Sequence, residues 1–220
     1  LFTRLNVGRI PLTDAELVKA HLLTSSRKAI LAGGKTIDRS EEVAQHWDAI
    51  ERDLWNDDVW AFVSEAGADE CPTRITLLLD TIAGGPRRKR PRFHTFETLR
   101  EKIEKDPLGF WEEVVDLHAL VRSWFENRTH YHKVGYLVSS GEAFADLVAL
   151  AKGKRKSELE AALDTRIKDS LDLSASDVKT LSYETDSDRE RCHLVLRLMN
   201  VEAVERMEHS SERYSFHRAR

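Results

Sequence analysis

Apolar residues recur three or four positions apart along most of this chain, the spacing that places them on one face of an α-helix. In SEEVAQHWDAIERDLW the residues that share such a face are Val43, Trp47, Ile50 and Leu54. In PLGFWEEVVDLHALVRSWFEN they are Phe110, Val114, Leu117 and Val121. The alternation typical of half-buried strands does not extend over any length. The pattern predicts a mainly α fold, a multi-helix bundle of roughly ten helices joined by short polar connections such as ETDSD.

Capping residues locate the starts of two of these helices. Thr13 and Glu16, in the TDAE that follows Pro11, have the spacing of a capping box, so a helix is expected to begin there. Ser40 is the expected cap of the SEEVAQHWDAIERDLW helix. The residues before the capping box, LFTRLNVG, lack helical periodicity and predict a short non-helical lead-in at the N-terminus.

Two other segments are less regular. PTRITLLLDTIAGG fits either a buried helix or a short strand, and we favour the helix because Gly84 and Gly85 close it. THYHKVGYL predicts a helix in which His132 packs at an interface. There Gly135, with its tyrosine neighbours, is expected to let a neighbouring helix approach closely.

Composition limits the function classes. With 220 residues and a net charge of -4, the chain has no bulk attraction to nucleic acid, so such a contact requires a local basic patch. Cys71 and Cys192 lie far apart and form no CxxC motif, which favours free thiols and a cytoplasmic location. No apolar run approaches the ~18 residues of a membrane span, so no membrane partner is expected.

Motifs for catalysis and metal binding are absent from the sequence. His130 and His132 are two residues apart and would point about 200° apart on a helix, too far to chelate one ion. There is no HExxH, no cysteine and histidine quartet and no GxSxG, and AGGKT has only a superficial likeness to a phosphate loop. We therefore expect neither catalytic residues nor a metal site. A hydrolase that uses His130 or His132 as base is the weakest hypothesis.

Two basic runs are the candidate nucleic-acid contacts, because clustered arginines and lysines neutralise phosphates. The first lies in GPRRKRPR, an expected exposed loop at 85–92, and contains Arg87, Arg88, Lys89, Arg90 and Arg92. The second, KGKRK, contains Lys152, Lys154, Arg155 and Lys156. Both runs also fit ordinary solvated loops. The first run is also a candidate boundary between two helical layers.

Four segments, taken in order, resemble a known family. They are FTRLNVGRIPLTDAELVKA, FWEEVVDLHALVRSWFEN, THYHKVGYLV and HLVLRLMNVEAVE. The third is close to a family Tyr-His-x-x-Gly-Tyr-Leu motif and the last to a late Leu-Asn-x-Glu helix. Together they resemble the GmrSD-like family of bacterial proteins, which is linked to modification-dependent (type IV) restriction. The resemblance covers nearly the whole chain in the family's order.

The resemblance implies a larger parent protein. Its N-terminal domain would be of the ParB/sulfiredoxin-like type and would hydrolyse a nucleotide through an Asp-Gly-Gln-Gln-Arg motif. Many members also carry a C-terminal HNH-like (His-Me finger) nuclease that opens on Glu-His-Ile. Neither motif occurs here, so the chain resembles the helical middle of such a protein, with no cofactor of its own. For the parent, an NTP and a divalent metal ion are implied.

The same resemblance suggests domain limits and candidate residues. Residues 1–24 would be the tail of the nucleotidase-like domain, and 25–220 a helical domain with an internal boundary at 85–92. Arg4, Asn6 and Gly8 match the family's Arg-x-Asn-x-Gly, and Glu16 and Lys19 its Glu-Leu-x-Lys-Ala. This makes Arg4, Asn6, Gly8 and Lys19 candidates for nucleotide binding. Turn and capping chemistry explains the same residue types at Asn6 and Glu16.

The expected function is a connector in a DNA-targeting restriction or defence protein, without a complete active site of its own. It would relay nucleotide state from the N-terminal NTPase to the nuclease and contact DNA through the basic runs. The alternative is a helical module for protein-protein interaction or dimerisation, favoured by tryptophans and leucines on helical faces. The expected partners are DNA, the NTPase and nuclease domains of the parent, and a second copy in a homo-oligomer.

Overall fold

Helices account for most of the regular structure in the computed structural model. It describes residues 12–27, 29–30, 36–64, 71, 73–85, 90–171, 185–207 and 211–217. Those ranges contain ten helices, which confirms the predicted mainly α, multi-helix fold. They also contain one antiparallel pair of two-residue strands, in which Ala29 pairs with Ile37 and Ile30 with Thr36. The predicted lead-in LFTRLNVG lies outside the described residues.

The elements follow one another in chain order. The first half comprises α1 (Asp14–Ser26), β1 (Ala29–Ile30), β2 (Thr36–Ile37), α2 (Ser40–Leu54), α3 (Asp57–Val63), α4 (Thr76–Ala83) and α5 (His94–Lys105). The second half comprises α6 (Pro107–Glu126), α7 (Arg128–Ser139), α8 (Phe144–Ala151), α9 (Lys156–Leu171) and α10 (Asp186–Glu205). The segment PTRITLLLDTIAGG forms a helix, as favoured over the strand.

Local capping explains several helix starts. The Thr13 hydroxyl accepts from the Glu16 amide at 3.2 Å, and the Glu16 carboxylate accepts from the Thr13 amide at 2.7 Å, which confirms the capping box. Ser40, predicted as the cap of α2, is instead its first residue. Asp38 Oδ1 accepts from both the Ser40 amide and its hydroxyl, and these bonds lower the pKa of the Asp38 carboxyl.

The beginning of α10 differs from the sequence prediction. ETDSD was predicted as a connection, but the helix begins at Asp186 and Thr185 is its cap. The Thr185 hydroxyl accepts from the Asp188 amide at 3.1 Å. Asp186 and Asp188 then lie in the first turn, where negative charge is favourable beside the unpaired amides of a helix N-terminus.

The chain divides into two compact units. The first contains residues 1–52 and 73–117, and the basic loop at 85–92 lies within it. In this unit α1 packs on α5, and α4 packs on both. Its buried core includes Val18, Leu22, Leu79, Leu99 and Ile103. Trp47 and Trp111 stack with ring centroids 5.9 Å apart.

The second unit contains residues 53–72 and 118–220. Its central element is α7, which packs against α3, α9 and α10. The residues of α7 that are buried are His130, Tyr131, His132, Val134, Gly135, Tyr136, Leu137 and Val138. This burial follows from the position of α7, since neighbours cover it on several sides. None of the helices in the described ranges has the length and apolar character needed to cross a membrane.

Candidate functional site

Of the four residues predicted to bind a nucleotide, the structure describes only Lys19. Arg4, Asn6 and Gly8 lie outside the described residues. Lys19 lies on α1, where its ammonium group is 2.6 Å from Asp48 Oδ1 and 5.7 Å from the centre of the Trp47 ring. Lys19 therefore joins α1 to α2, and binding a phosphate would require it to leave this carboxylate.

The basic loop at 85–92 separates into residues with different roles. Arg87, Arg88 and Lys89 lie outside the described residues. Arg90 Nη1 is 2.7 Å from Asp80 Oδ1, and the guanidinium also donates to the Thr95 hydroxyl and the Gly84 carbonyl. Arg90 is thus held by α4 and α5 and is only partly exposed.

Burial raises the pKa of the Asp80 carboxyl, although its bond from Thr95 and the charge of Arg90 oppose the shift. Arg90 supplies the positive charge that a carboxylate in this position needs. Arg92, by contrast, is exposed, and its guanidinium carbon lies 4.6 Å from the centre of the Phe93 ring. Of the two described arginines in this loop, Arg92 is the one in a position to reach a polyanion.

The second basic run is more accessible. Lys152, Lys154, Arg155 and Lys156 are all exposed, between α8 and the first residue of α9. Gly153 has a φ of 74°, a left-handed conformation that glycine adopts easily and that turns the chain here. The Arg155 amide donates to the Glu158 carboxylate at 2.8 Å, and the Arg155 side chain is exposed. We name these four residues the basic patch.

The THYHKVGYL segment holds the chain's own C-terminal segment. His132 is fully buried; its Nε2 accepts from the Tyr214 amide at 3.3 Å, and its Nδ1 lies 2.8 Å from the Arg128 carbonyl oxygen. Because an amide can only donate, the proton of the neutral ring must be on Nδ1. Burial lowers the pKa of His132 to about 4. His132 packs at an interface, as predicted, but its partner is Tyr214 and not a neighbouring helix, and both ring nitrogens have hydrogen-bond partners.

Tyr131 and Gly135 contact the same segment. The Tyr131 hydroxyl donates to the Tyr214 carbonyl at 2.8 Å, and burial raises its pKa to about 12. A Cβ on Gly135 would lie within 2.7 Å of three atoms of the Phe216 ring, so glycine is required for Phe216 to pack. The neighbour that approaches Gly135 is therefore the segment at 211–217, which we name the C-terminal strap, and not the helix predicted from the sequence.

Two arginines complete the attachment of the strap. Arg128, the first residue of α7, donates to the carbonyls of Val204 and Glu205 in the last turn of α10 and of Glu212 in the strap. Arg213, which lies in the strap, donates to the carbonyls of Phe125 and Glu126 at the end of α6. The last carbonyls of a helix lack partners within it, so each arginine satisfies one helix end.

A polar network in the same unit was not predicted from the sequence. Asp53 Oδ2 lies 2.8 Å from His118 Nε2, and Asp53 Oδ1 lies 3.3 Å from Arg122 Nη1. Arg122 also pairs with Glu126 at 3.0 Å. The network ties the end of α2 to α6. Its members are 65 and 69 residues apart in the chain, and no local sequence signal links residues at that separation.

A cavity of about 290 Å³ lies between α7, α9 and α10. Ile167, Leu198 and Val201 form part of its apolar wall. Lys133 lines it and pairs with Asp164 at 2.6 Å, and burial raises the pKa of the Glu205 carboxyl, which also lines it. Lys168 and Glu202 also line it, so charges of both signs surround the cavity.

The described residues contain no group of three or more histidine, cysteine, aspartate or glutamate side chains that could hold a metal ion. The most extensive set of polar contacts described above is the one that attaches the strap to α7. No protein-family model, curated protein or solved structure matches this chain.

Proposed function

We propose that this chain is the helical connector of a cytoplasmic, DNA-targeting restriction protein of the GmrSD-like kind, and that it is catalytically silent alone. The observation that supports this is the attachment of the strap. In the segment that resembles the family's Tyr-His-x-x-Gly-Tyr-Leu motif, the histidine, the first tyrosine and the glycine all contact residues 214–216. These contacts support a role of the motif in holding the strap in position.

The strap is held from two helices, since α7 binds it through His132 and Tyr131 while Arg213 reaches the end of α6. A displacement of α7 would therefore move the strap with it. In the parent that the resemblance implies, a nuclease would follow the strap. The connector would in this way carry the nucleotide state of the N-terminal domain to the nuclease.

Replacing Phe216 with alanine in the full-length parent tests this role, because it removes the ring that packs on Gly135. We expect NTP hydrolysis to continue and NTP-dependent DNA cleavage to fall by at least tenfold. His217→Ala is the matched control, because His217 is the next residue and is exposed. Equal cleavage by the Phe216→Ala and His217→Ala proteins would contradict the connector proposal.

We place the DNA contact of the connector at the basic patch. Its four exposed charges can each neutralise a phosphate, whereas Arg90 is committed to Asp80. Replacing all four residues with glutamine should lower the slope of log affinity against log salt by up to about 3.6 if every residue neutralises one phosphate.

A matched control removes four exposed positive charges from other places in the chain. The replaced residues would be Arg27, Arg52, Lys105 and Lys168. Both variants then have the same net charge. An equal change in the salt dependence of the two variants would mean that the attraction is general and not centred on the basic patch.

A second candidate function, a protein-protein interaction or dimerisation module, is favoured by a different observation. Leu196 and Met199 of α10 are 49% and 60% exposed. Large apolar side chains that are exposed side by side mark interaction surfaces when they form a continuous patch. Size measurement of the purified chain by light scattering over a range of concentrations tests this function directly.

A further inference from the structure

The surface of α10 that faces away from the rest of its unit is apolar. Cys192, Leu196, Met199 and Ala203 are spaced by four, three and four residues, which places them in one stripe along the helix. Leu196, Met199 and Ala203 are exposed and Cys192 is half-buried. We name these four residues the α10 stripe.

The opposite side of α10 is the one that packs within the unit. Val201 is buried there, the Leu194 carbonyl accepts from the Tyr136 hydroxyl at 3.4 Å, and Arg197 donates to the Ser139 carbonyl. At 3.6 residues per turn, these three residues lie about 130° to 170° around the helix from the centre of the stripe. The stripe is therefore not the face that α10 uses to join its own unit.

The spacing of the stripe is the same in both directions along the helix. Leu196 and Met199 are equally distant from the point between Arg197 and Leu198, and so are Cys192 and Ala203. A two-fold axis through that point pairs two antiparallel copies of α10. Leu196 of one copy then lies against Met199 of the other, and Cys192 against Ala203. Such self-complementarity is what a two-fold interface requires.

Charge at the border of the stripe favours the same orientation. Asp188 and Arg206 are 18 residues apart, which is about five helical turns, so they lie on the same side of α10. Antiparallel pairing brings Asp188 of each copy near Arg206 of the other. Parallel pairing would instead separate Asp188 of one copy from Arg206 of the other by about 27 Å along the helix, so this attraction would be lost.

We propose that the α10 stripe binds a second copy of this chain in a two-fold, antiparallel α10 pairing. This inference rests on the second of the two functions proposed above and commits that function to one partner. Pairing of single 20-residue helices gives a small interface, at the low end of the sizes found for specific association. The dimer is therefore weak and concentration-dependent.

Disulfide cross-linking tests the partner and the register together. In a Cys71→Ser background, Ala203→Cys places a thiol opposite Cys192 of the other copy, whose Cα would be within the distance that a disulfide spans. Within one copy the two thiols are 11 residues apart, or ~16 Å along the helix, so they cannot bridge intramolecularly. Mild oxidation should give a covalent dimer of this variant.

The Cys71→Ser chain without Ala203→Cys is the first control and should stay monomeric on a non-reducing gel. Glu190→Cys is the second control, because Glu190 is exposed on α10 but off the stripe, and it should cross-link at least tenfold less. A covalent dimer through Cys192 alone would mean parallel pairing and would overturn the proposal.

Charge substitution on the stripe tests the interface without new cysteines. Met199→Glu should raise the dimer dissociation constant at least tenfold, whereas Ala161→Glu, at an exposed position of α9, should not. If the chain dimerises with a dissociation constant that Met199→Glu leaves unchanged, and does not cross-link, the α10 pairing is overturned while the interaction function stands. A chain that is monomeric at every concentration would overturn both, and the connector proposal is tested separately by DNA cleavage.

Discussion

The Phe216 ring packs directly on the backbone of Gly135, although the two residues are 81 positions apart in the chain. A Cβ on Gly135 would come within 2.7 Å of three ring atoms, and Phe216 is 1% exposed. The contact joins the middle of α7 to the C-terminal strap, at a place where the tyrosine, histidine and arginine contacts of the strap also converge.

Gly135→Ala should lower the free energy of unfolding by about 1 to 3 kcal/mol, because the added methyl group forces Phe216 out of its position. Chemical denaturation of the two proteins measures the difference. In a Phe216→Ala background the same substitution should be neutral or stabilising by up to about 1 kcal/mol, since alanine is the better helix former. A similar loss in both backgrounds would show that the ring is not the obstacle.

Protonation of His132 should weaken the fold below pH 6.5. The ring has a pKa of about 4 in the folded protein and 6.5 as an ordinary value, so between these the unfolded chain binds a proton that the folded one excludes. The stabilisation is complete above pH 6.5, is lost as the pH falls toward 4, and amounts to roughly 3 kcal/mol at 1.36 kcal/mol per pKa unit.

Unfolding curves at pH 7 and pH 4.5 check this expectation. His132→Asn can still donate to the Arg128 carbonyl but does not titrate, so its stability should depend less on pH in this range. His46→Asn, at an exposed histidine, is the control and should keep the pH dependence of the unchanged protein. A His132→Asn protein with an unchanged pH profile would assign the titration to other groups.

Arg90→Ala should destabilise the first unit by about 1 to 3 kcal/mol, because Asp80 loses its charged partner in a partly buried place. Its DNA affinity should stay within twofold of the unchanged protein. Arg92→Ala should leave the stability nearly unchanged, since Arg92 is exposed. Thermal unfolding and DNA titration of the two variants separate these roles. The expectation fails if Arg90→Ala weakens DNA binding without lowering stability.

Arg128→Met should release the end of α10 and the strap while keeping much of the side-chain volume. The carbonyls of Val204, Glu205 and Glu212 would lose a charged donor. Amide hydrogen exchange should accelerate at least tenfold at residues 204–207 and 211–217, and should stay unchanged in α5. Acceleration spread evenly over the chain would indicate general destabilisation and not loss of this attachment.

The helices could be predicted from the sequence because the interactions that favour them are local. The capping box of Thr13 and Glu16 and the apolar spacing of Val43, Trp47, Ile50 and Leu54 act within four residues at a time. Even so, α10 extends three residues into the predicted connection ETDSD, because acidic residues that suit a loop also suit the first turn of a helix.

The use of individual polar residues was decided only by tertiary structure. Arg90 and Arg92 belong to one basic run, yet one is held by Asp80 and the other is exposed. The sequence predicted that His132 packs at an interface, but not that its partner is the Tyr214 amide, 82 residues away. By itself, the sequence determined where the helices form, since periodicity and capping are short-range. Which charged or aromatic group meets which depends on how the helices pack, and no short-range pattern encodes that packing.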